Sequence, residues 1–501
     1  MDGSSPEVST RAGVVRGTAE GGLAVFRGIP YARPPVGELR FAGPMPPAPW
    51  TGVRDATAFG PPPPQSALLP TLAPPPPPGA DPDDWLTVNV WTPSPGGDSG
   101  LPVLVWIYGG AYRLGVSSQP SYDGARLAEL GVVVVTFNHR VGVEGFAQLP
   151  DRPANRALLD DVAALRWVRE NITAFGGDPD QVTVFGESAG AGAVAALLVM
   201  PSAAGLFRRA IAQSVPGAFI TPELAAAVTG EIAAQQGIPA TTEAFAAADP
   251  GELAAASDRV WPREYSHWGQ LAFGDVPFAP VVDGDVLPVA PWLALATGTG
   301  RTVDLITGHN RDEYRLFLEF SGLRGRVTED MAVRMLRGLV PSIPGADGEK
   351  AYRHAYPDAG PEELYELVLS DWVFRMPTLH LAQAHAVGGG RTFLYELTYP
   401  AGPLGACHAL DVPLVFGTNA ELGQFLLGDR PAPEAIALGD LMRSEWIAFA
   451  KTGDPGWPRY SPGRRLTRIY AAESSVGPYP EEASMHVWDQ RRFGVLDLTG
   501  R

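Results

Sequence analysis

The stretch QVTVFGESAGAGAVAALLVM, residues 181–200, decides the fold. Its apolar run Val182-Thr183-Val184-Phe185 breaks at Gly186-Glu187-Ser188-Ala189-Gly190 and resumes as text rich in Ala and Leu. That pattern reads as a strand, a tight turn and a helix. In such a setting G-x-S-x-G is a nucleophile elbow: the serine sits on a strained turn, and the residues two away on either side must be small. Gly186 and Gly190 meet that demand. Ser188 then projects its Oγ above the sheet, and the helix behind it presents unbonded N–H groups to developing negative charge. Gly and Ala are abundant in the chain, so the five letters alone decide little. The flanking strand and helix carry the reading.

Outward from the elbow, continuous apolar runs mark further strands at 86–91 (LTVNVW), 103–108 (VLVWIY) and 132–137 (VVVVTF). Runs of this kind suit strands buried on both faces. Additional strands are predicted at 208–214, 303–308, 392–399 and around LTRIYAA, with small antiparallel edge strands between Val14 and Ala32. Val162, Leu165, Val168, Ile172 and Phe175 recur at three- and four-residue spacing, which predicts an amphipathic helix over 158–175, followed by a turn at GGDPD. Helical text fills 221–256, EDMAVRMLRGLV, ELVLSDWVFRMPTLHLAQAHA and LMRSEWIAFAKTG. Strands alternating with helices predict an α/β fold with a mostly parallel, doubly wound sheet. One catalytic domain over 1–501 is expected, with helical insertions at about 220–300 and 320–390. Proline runs between Pro61 and Pro78 exclude a sheet interior there and predict an extended, mobile surface loop, while Phe41 and Trp50 read as buried anchors of the preceding segment.

Composition narrows the function. The 501 residues are 45% hydrophobic and 19% charged, as in soluble globular enzymes. With 38 basic and 55 acidic side chains the formal charge is -17, which disfavours nucleic acid and anionic membrane surfaces as partners. The single cysteine, Cys407, excludes an internal disulfide and a thiolate metal cluster. The start MDGSSPEVSTRAG has no secretory pattern and no apolar run approaches a membrane span, so a cytoplasmic protein is expected and the sequon at Asn171 is a coincidence.

A serine nucleophile needs a histidine base oriented by a carboxylate. In chain order Ser, acid, His, the candidates are His309, His354, His380, His385, His408 and His486. His354, His380 and His385 lie in helical text and His486 lies past the last clear strand; His408 follows strand TFLYELTY through the loop PAGPLGAC and is favoured by position. The acid belongs after strand VDLITG, where Asp312 and Glu313 both qualify and spacing does not choose between them. Strand VLVWIY runs into Tyr108-Gly109-Gly110-Ala111-Tyr112, a turn that can aim main-chain amides at an oxyanion together with that of Ala189. GDSG at 97–100 lacks a supporting strand pattern, and DPDD at 81–84 lacks the spacing of a calcium loop.

With these residues in place the chain resembles the type-B carboxylesterases (the carboxylesterase/cholinesterase family), and within it the bacterial para-nitrobenzyl-esterase-like branch. FRGIPYARPPVGELRF, VWIYGGAY, NHRVG, ALLDDVAALRWVRENITAFGGDPDQVTVFGESAGA, TGHNRDEYRLFL, GACHALDVPLVFG and WIAFAKTGDPGWPRY carry the likeness over nearly the whole length. The resemblance implies an α/β-hydrolase fold, with helices on both faces of the sheet and helical insertions over the site. It also implies Ser188 as nucleophile, Glu313 as acid, His408 as base, and the amides of Gly110, Ala111 and Ala189 as oxyanion donors. It gives Ser214 a supporting role beside the acid, and implies ion pairs Arg40–Asp83 and Arg140–Asp160. Three departures stand out. Trp85 replaces a family cysteine, which leaves the 61–84 loop unpinned and open to proteolysis. Ala111 replaces a glycine, so its methyl is expected to crowd bulky alcohol groups. No aromatic lies between Gly60 and Asp84, which argues against choline esters.

The expected activity is hydrolysis of small to medium, including aromatic, carboxylic esters through an acyl-enzyme, by a monomer, with no cofactor and no metal. Tyr112, Trp268, Phe317 and Phe320 are candidate pocket walls, and Glu187 is either a field near the pocket or a helix-start carboxylate. An amide or carbamate hydrolase with the same triad is the nearer alternative, a non-catalytic interaction protein the remoter one.

Overall fold

The computed structural model describes residues 5–66, 81–97, 99–340, 348–489 and 491–499. The proline loop expected to be mobile falls largely outside the described residues. Among the described residues, fourteen strands form in chain order: β1 (Glu7–Ser9), β2 (Val14–Arg16), β3 (Thr18–Glu20), β4 (Leu23–Pro30), β5 (Val53–Asp55), β6 (Thr87–Thr92), β7 (Leu101–Ile107), β8 (Val133–Phe137), β9 (Gly177–Glu187), β10 (Arg209–Gln213), β11 (Asp304–Asn310), β12 (Thr392–Leu397), β13 (Thr467–Tyr470) and β14 (Ser475–Gly477). Strands β1, β2 and β5 make a small separate sheet; the other eleven form one sheet in the order β14-β13-β12-β11-β10-β9-β7-β8-β6-β4-β3. From β8 through β13 every pairing is parallel, whereas β3, β4 and β6 on one side and β14 on the other run antiparallel.

The parallel strands are buried on both faces, and side-chain alternation sends successive residues to opposite cores. Val103, Val105 and Ile107 join one cluster with Val182, Val184 and the helix residues Leu158, Val162, Leu165 and Val168. Leu104, Trp106 and Tyr108 join the other with Phe185, Ile211 and Met442, Trp446 and Phe449 of the helix Pro433–Thr452. Helices therefore cover both faces. Every loop leaving the C-terminal end of a parallel strand opens on the same edge of the sheet, the edge where ligands bind in folds of this kind.

Some elements differ from the sequence reading for physical reasons. GGDPD is not a free turn: β9 starts at Gly177 opposite Leu101, and the register then jumps to Val103 opposite Val182, so the polar residues between are taken up in a bulge. The long helical text before β12 is two helices, Pro361–Ser370 and Met376–Val387, joined by a π-turn at Asp371–Arg375, where Arg375 pairs with Asp371 at 2.8 Å. The Arg40–Asp83 pair is not made. Instead the 3₁₀ turn Gly37–Leu39 points Arg40 at Glu144, with Nη2 at 2.6 Å, and Asp84 takes Arg54 at 2.6 Å. Arg140 does pair with Asp160, at 2.7 Å and fully buried.

Candidate active site

The elbow is built by close packing. In β9, Gly186 pairs with Ile107 of β7 and Ala212 of β10. A Cβ on Gly186 would lie 2.7 Å from the carbonyl carbon of Gly190, and one on Gly190 would lie 2.1 Å from the oxygen of Ile107. Only glycine fits either place. Ser188, with φ 57° and ψ -126°, turns the chain directly into the helix Ala189–Leu197, and its N–H donates to the Gln213 carbonyl at 2.9 Å. A non-glycine residue held there stores about 1–3 kcal/mol of backbone strain.

The loop after β7 reaches back over this turn. A Cβ on Gly109 would sit 3.0 Å from Cβ of Ser188, so the loop touches the elbow. Gly110 (φ 123°), Ala111 (φ 56°) and Tyr112 (φ 58°) follow in left-handed backbone, and the Gly110 carbonyl accepts from the N–H groups of Arg113 and Leu114 at 3.1 Å. Among the described residues nothing accepts a hydrogen bond from the amides of Gly110, Ala111 or Ala189.

Strand β11 ends in His309-Asn310, and the following turn delivers two acids to different tasks. Glu313 is fully buried; its Oε1 accepts from Ser214 Oγ at 2.5 Å and from the Asn310 N–H at 2.9 Å, and its Oε2 lies 2.6 Å from His408 Nδ1. Asp312 faces the other way. Its Oδ2 accepts from the Ala406 N–H at 2.9 Å and its Oδ1 lies 3.0 Å from Arg315 Nη2, which ties down the loop carrying His408. The two residues that spacing left open are thus separated by what they touch.

His408 lies between aromatic rings, with centroids 4.2 Å from Phe374 and 5.1 Å from Phe317. Its Nε2 is 3.0 Å from Oε1 of Glu187, and among the described residues no hydrogen bond joins it to Ser188 Oγ. Burial disfavours a charged imidazole, but the carboxylates of Glu187 and Glu313 outweigh that and raise the pKa of His408. Burial likewise raises that of Glu187, opposed by His408 and assisted by Asp411 and Glu313. The two groups face each other at 3.0 Å, so their titration belongs to the pair. Burial, with Glu313 and Asp312 nearby, pushes the Cys407 thiol up to about 12, so it is no competing thiolate.

Sequence reasoning missed several contributors. Asp411 is buried and accepts from Gln213 Nε2 and the Tyr395 hydroxyl, each at 2.8 Å, close enough to raise Glu187. Its signal was its place three residues after His408. Phe374 had none, being one apolar letter in helical text. Of the candidate pocket walls, Phe317 packs at a tilt 5.1 Å from the His408 ring and Tyr112 packs on Phe146 at 5.3 Å. Trp268 is sealed against Tyr265 at 4.3 Å, and Phe320, 54% exposed, stacks on Phe425. Among the described residues no cluster of His, Cys, Asp and Glu is grouped to hold a metal ion.

A model of the carboxylesterase family matches residues 4–463. The chain belongs to the carboxylesterase family. This esterase is 38% identical over 489 residues to the para-nitrobenzyl esterase of Bacillus subtilis, which covers 95% of this chain and 96% of that one. Among solved structures, a Geobacillus stearothermophilus carboxylesterase superposes with a TM-score of 0.83 at 37% identity, covering 96% of this chain and 99% of its own. A PNB esterase superposes at 0.85 with 35% identity, covering 97% and 99%. The α/β-hydrolase fold and carboxylic ester hydrolysis are those of the family. No helix among the described residues is long and apolar enough to cross a membrane.

Proposed function

We propose that the esterase works through an acyl-enzyme on Ser188, with His408 as base and Glu313 as its orienting acid. The observation that carries this is the 2.6 Å contact between Glu313 and Nδ1 of His408, made on the loops beside the elbow serine. Glu313 fixes the tautomer by accepting from Nδ1 and stabilises the imidazolium that forms. In the reacting complex Nε2 exchanges Glu187 for the Ser188 hydroxyl and takes its proton as Oγ attacks the carbonyl carbon. The tetrahedral oxyanion falls to the amides of Gly110, Ala111 and Ala189, each worth about 3–4 kcal/mol of transition-state stabilisation in such sites. His408 then protonates the departing alcohol. Water, deprotonated by the same nitrogen, attacks the acyl-enzyme and releases the acid.

The substrate class we infer is a small to medium ester with an aromatic group, taken up beside Phe317 and Phe374, which face His408. The similarity to a para-nitrobenzyl esterase supports that choice. A monomer acting in the cytoplasm suits the acidic charge of -17 and the lone cysteine. The test is a series of para-nitrobenzyl and p-nitrophenyl esters of increasing acyl length, run on the parent and on Ser188→Ala. Loss of all turnover in Ser188→Ala is expected, and turnover retained there would end the mechanism.

A further inference from the structure

Two consecutive basic residues leaving β8, His139 and Arg140, face two consecutive acids of the helix Arg156–Asn171, Asp160 and Asp161. Arg140 grips Asp160 through its backbone N–H, Nε and Nη2 and sends Nη1 to the Ala42 carbonyl, a structural tie. The second pair has a different neighbour. His139 Nδ1 lies 2.9 Å from Asp161 Oδ1, with side chains 10% and 1% exposed, and among the described residues neither oxygen of that carboxylate has a hydrogen-bond partner of ordinary geometry. A buried His–carboxylate pair adds little stability beyond what its desolvation removes, so its use is to be sought in what it holds.

What it holds is Tyr108, the residue that opens the oxyanion loop. The His139 and Tyr108 rings lie 4.4 Å apart at 33°. The Tyr108 hydroxyl donates to the His139 carbonyl at 3.1 Å and accepts from the His139 N–H at 3.2 Å. Gly115, at the far end of the loop, presses on the same ring: a Cβ there would stand 2.4 Å from it. The segment Gly109–Leu114 is therefore strung between two contacts to one aromatic ring, and that ring is backed by His139. A void of about 10 Å³ is bounded by Tyr108, Gly109, His139, Asp161 and Ala189.

We propose that Asp161 and His139 are positioning residues for the oxyanion loop: Asp161 fixes the His139 ring, His139 fixes Tyr108, and Tyr108 sets the aim of the Gly110 and Ala111 amides. The proposal rests on those amides being the oxyanion donors, as read above. Aim matters because a donor acts only where the oxyanion forms, and a displacement of about 1 Å lowers turnover on the order of a hundredfold.

The test compares Asp161→Asn, His139→Phe and the double variant His139→Phe/Asp161→Leu in the full chain. The double variant strands no lone buried charge and serves where a single one fails to fold. kcat and KM for a p-nitrophenyl ester are measured, with the inhibition constant of an aryl trifluoromethyl ketone, whose serine hemiketal places its oxyanion among the amides. We expect kcat to fall about 10–100-fold with KM within about twofold, and ketone affinity to fall in step with kcat. The double variant is expected to lose no more than the worse single one, because the two act in series. A folded double variant with parental kcat and ketone affinity overturns the proposal, as does a rise in KM with kcat unchanged. Ser188→Ala separates the two readings. If it stays active, the acyl-enzyme mechanism falls; if it is dead while the dyad variants match the parent, only the positioning role falls.

Discussion

Nε2 of His408 lies 3.0 Å from Oε1 of Glu187, so the residue just before the elbow serine faces the nitrogen proposed to act as its base. Both ring nitrogens of His408 thus face carboxylates, Glu313 on one side and Glu187 on the other. In the proposed mechanism a protonated Nε2 cannot take a proton from Ser188, so the imidazole has to be neutral to act as the base. The Glu187 anion raises the pKa of His408 against its burial, so removing the charge lowers it. In Glu187→Gln the acid limb of kcat/KM is expected to move to lower pH, by about one unit or more, while the plateau kcat falls because the imidazolium of the transition state loses a neighbour. A pH–rate profile of the two proteins checks this. A limb that stays put, or moves up, contradicts it.

The neighbouring acids Asp312 and Glu313 should fail in different ways. Glu313→Gln leaves a neutral amide at the 2.6 Å contact with Nδ1 and frees the imidazole to take the wrong tautomer, so kcat is expected to drop roughly 10³–10⁴-fold with little change in stability. Asp312→Asn instead weakens the grip on the Ala406 N–H and Arg315, so the main effect is a lower Tm and a kcat loss of about tenfold or less. Ser214→Ala, which removes the 2.5 Å donor to Glu313, is expected to fall between them, at about tenfold in kcat with KM unchanged. A larger kcat loss in Asp312→Asn than in Glu313→Gln would reverse the assignment.

How much of this was legible in the chain depends on whether the relevant letters are neighbours. The letters of the elbow and of the YGGAY turn are contiguous, and each group ends a continuous apolar strand, so the strands and the meeting of the two turns at one sheet edge were readable. The place of His408 beside Glu313 was readable because its loop follows TFLYELTY. Asp312 and Glu313 were not separable, because adjacent residues point oppositely and only the Ala406 loop, nearly a hundred positions on, distinguishes them. Phe374 reaches His408 from a π-turn that no periodicity announces. Arg40 was misassigned for the same reason: an acid 104 residues away, Glu144, lies nearer in space than Asp83 does. His139 and Asp161 were in quoted motifs all along, yet their pairing needs the register of a strand exit against a helix.

Phe374 packs its ring 4.2 Å from that of His408 and 5.8 Å from Phe317, and is buried. Phe374→Ala is expected to cost about 3–5 kcal/mol of stability through the cavity it leaves. It should also free the imidazole to leave the Glu313 contact, so kcat falls while Phe374→Leu, which refills most of the volume, recovers stability more than it recovers kcat. Denaturant melts alongside steady-state kinetics on both variants check the split. If Phe374→Leu restores kcat fully, the ring acts by bulk alone.

The buried pair Arg140–Asp160 tests stability apart from chemistry. Both side chains are fully buried, and Asp160 receives three hydrogen bonds from Arg140, which also reaches the Ala42 carbonyl. Asp160→Asn leaves the guanidinium without its charge partner in a dry site, a loss of about 3–5 kcal/mol. Because none of these contacts touches Ser188, Glu313 or His408, the protein that remains folded below its new Tm is expected to turn over with kcat and KM close to the parent's. Active-site titration with a fluorophosphonate would count the folded fraction, and kcat per titrated site is the deciding number. A fall in that number would mean that Arg140 feeds into the site through His139, its neighbour at the β8 exit, and that the Arg140–Asp160 and His139–Asp161 contacts act as one.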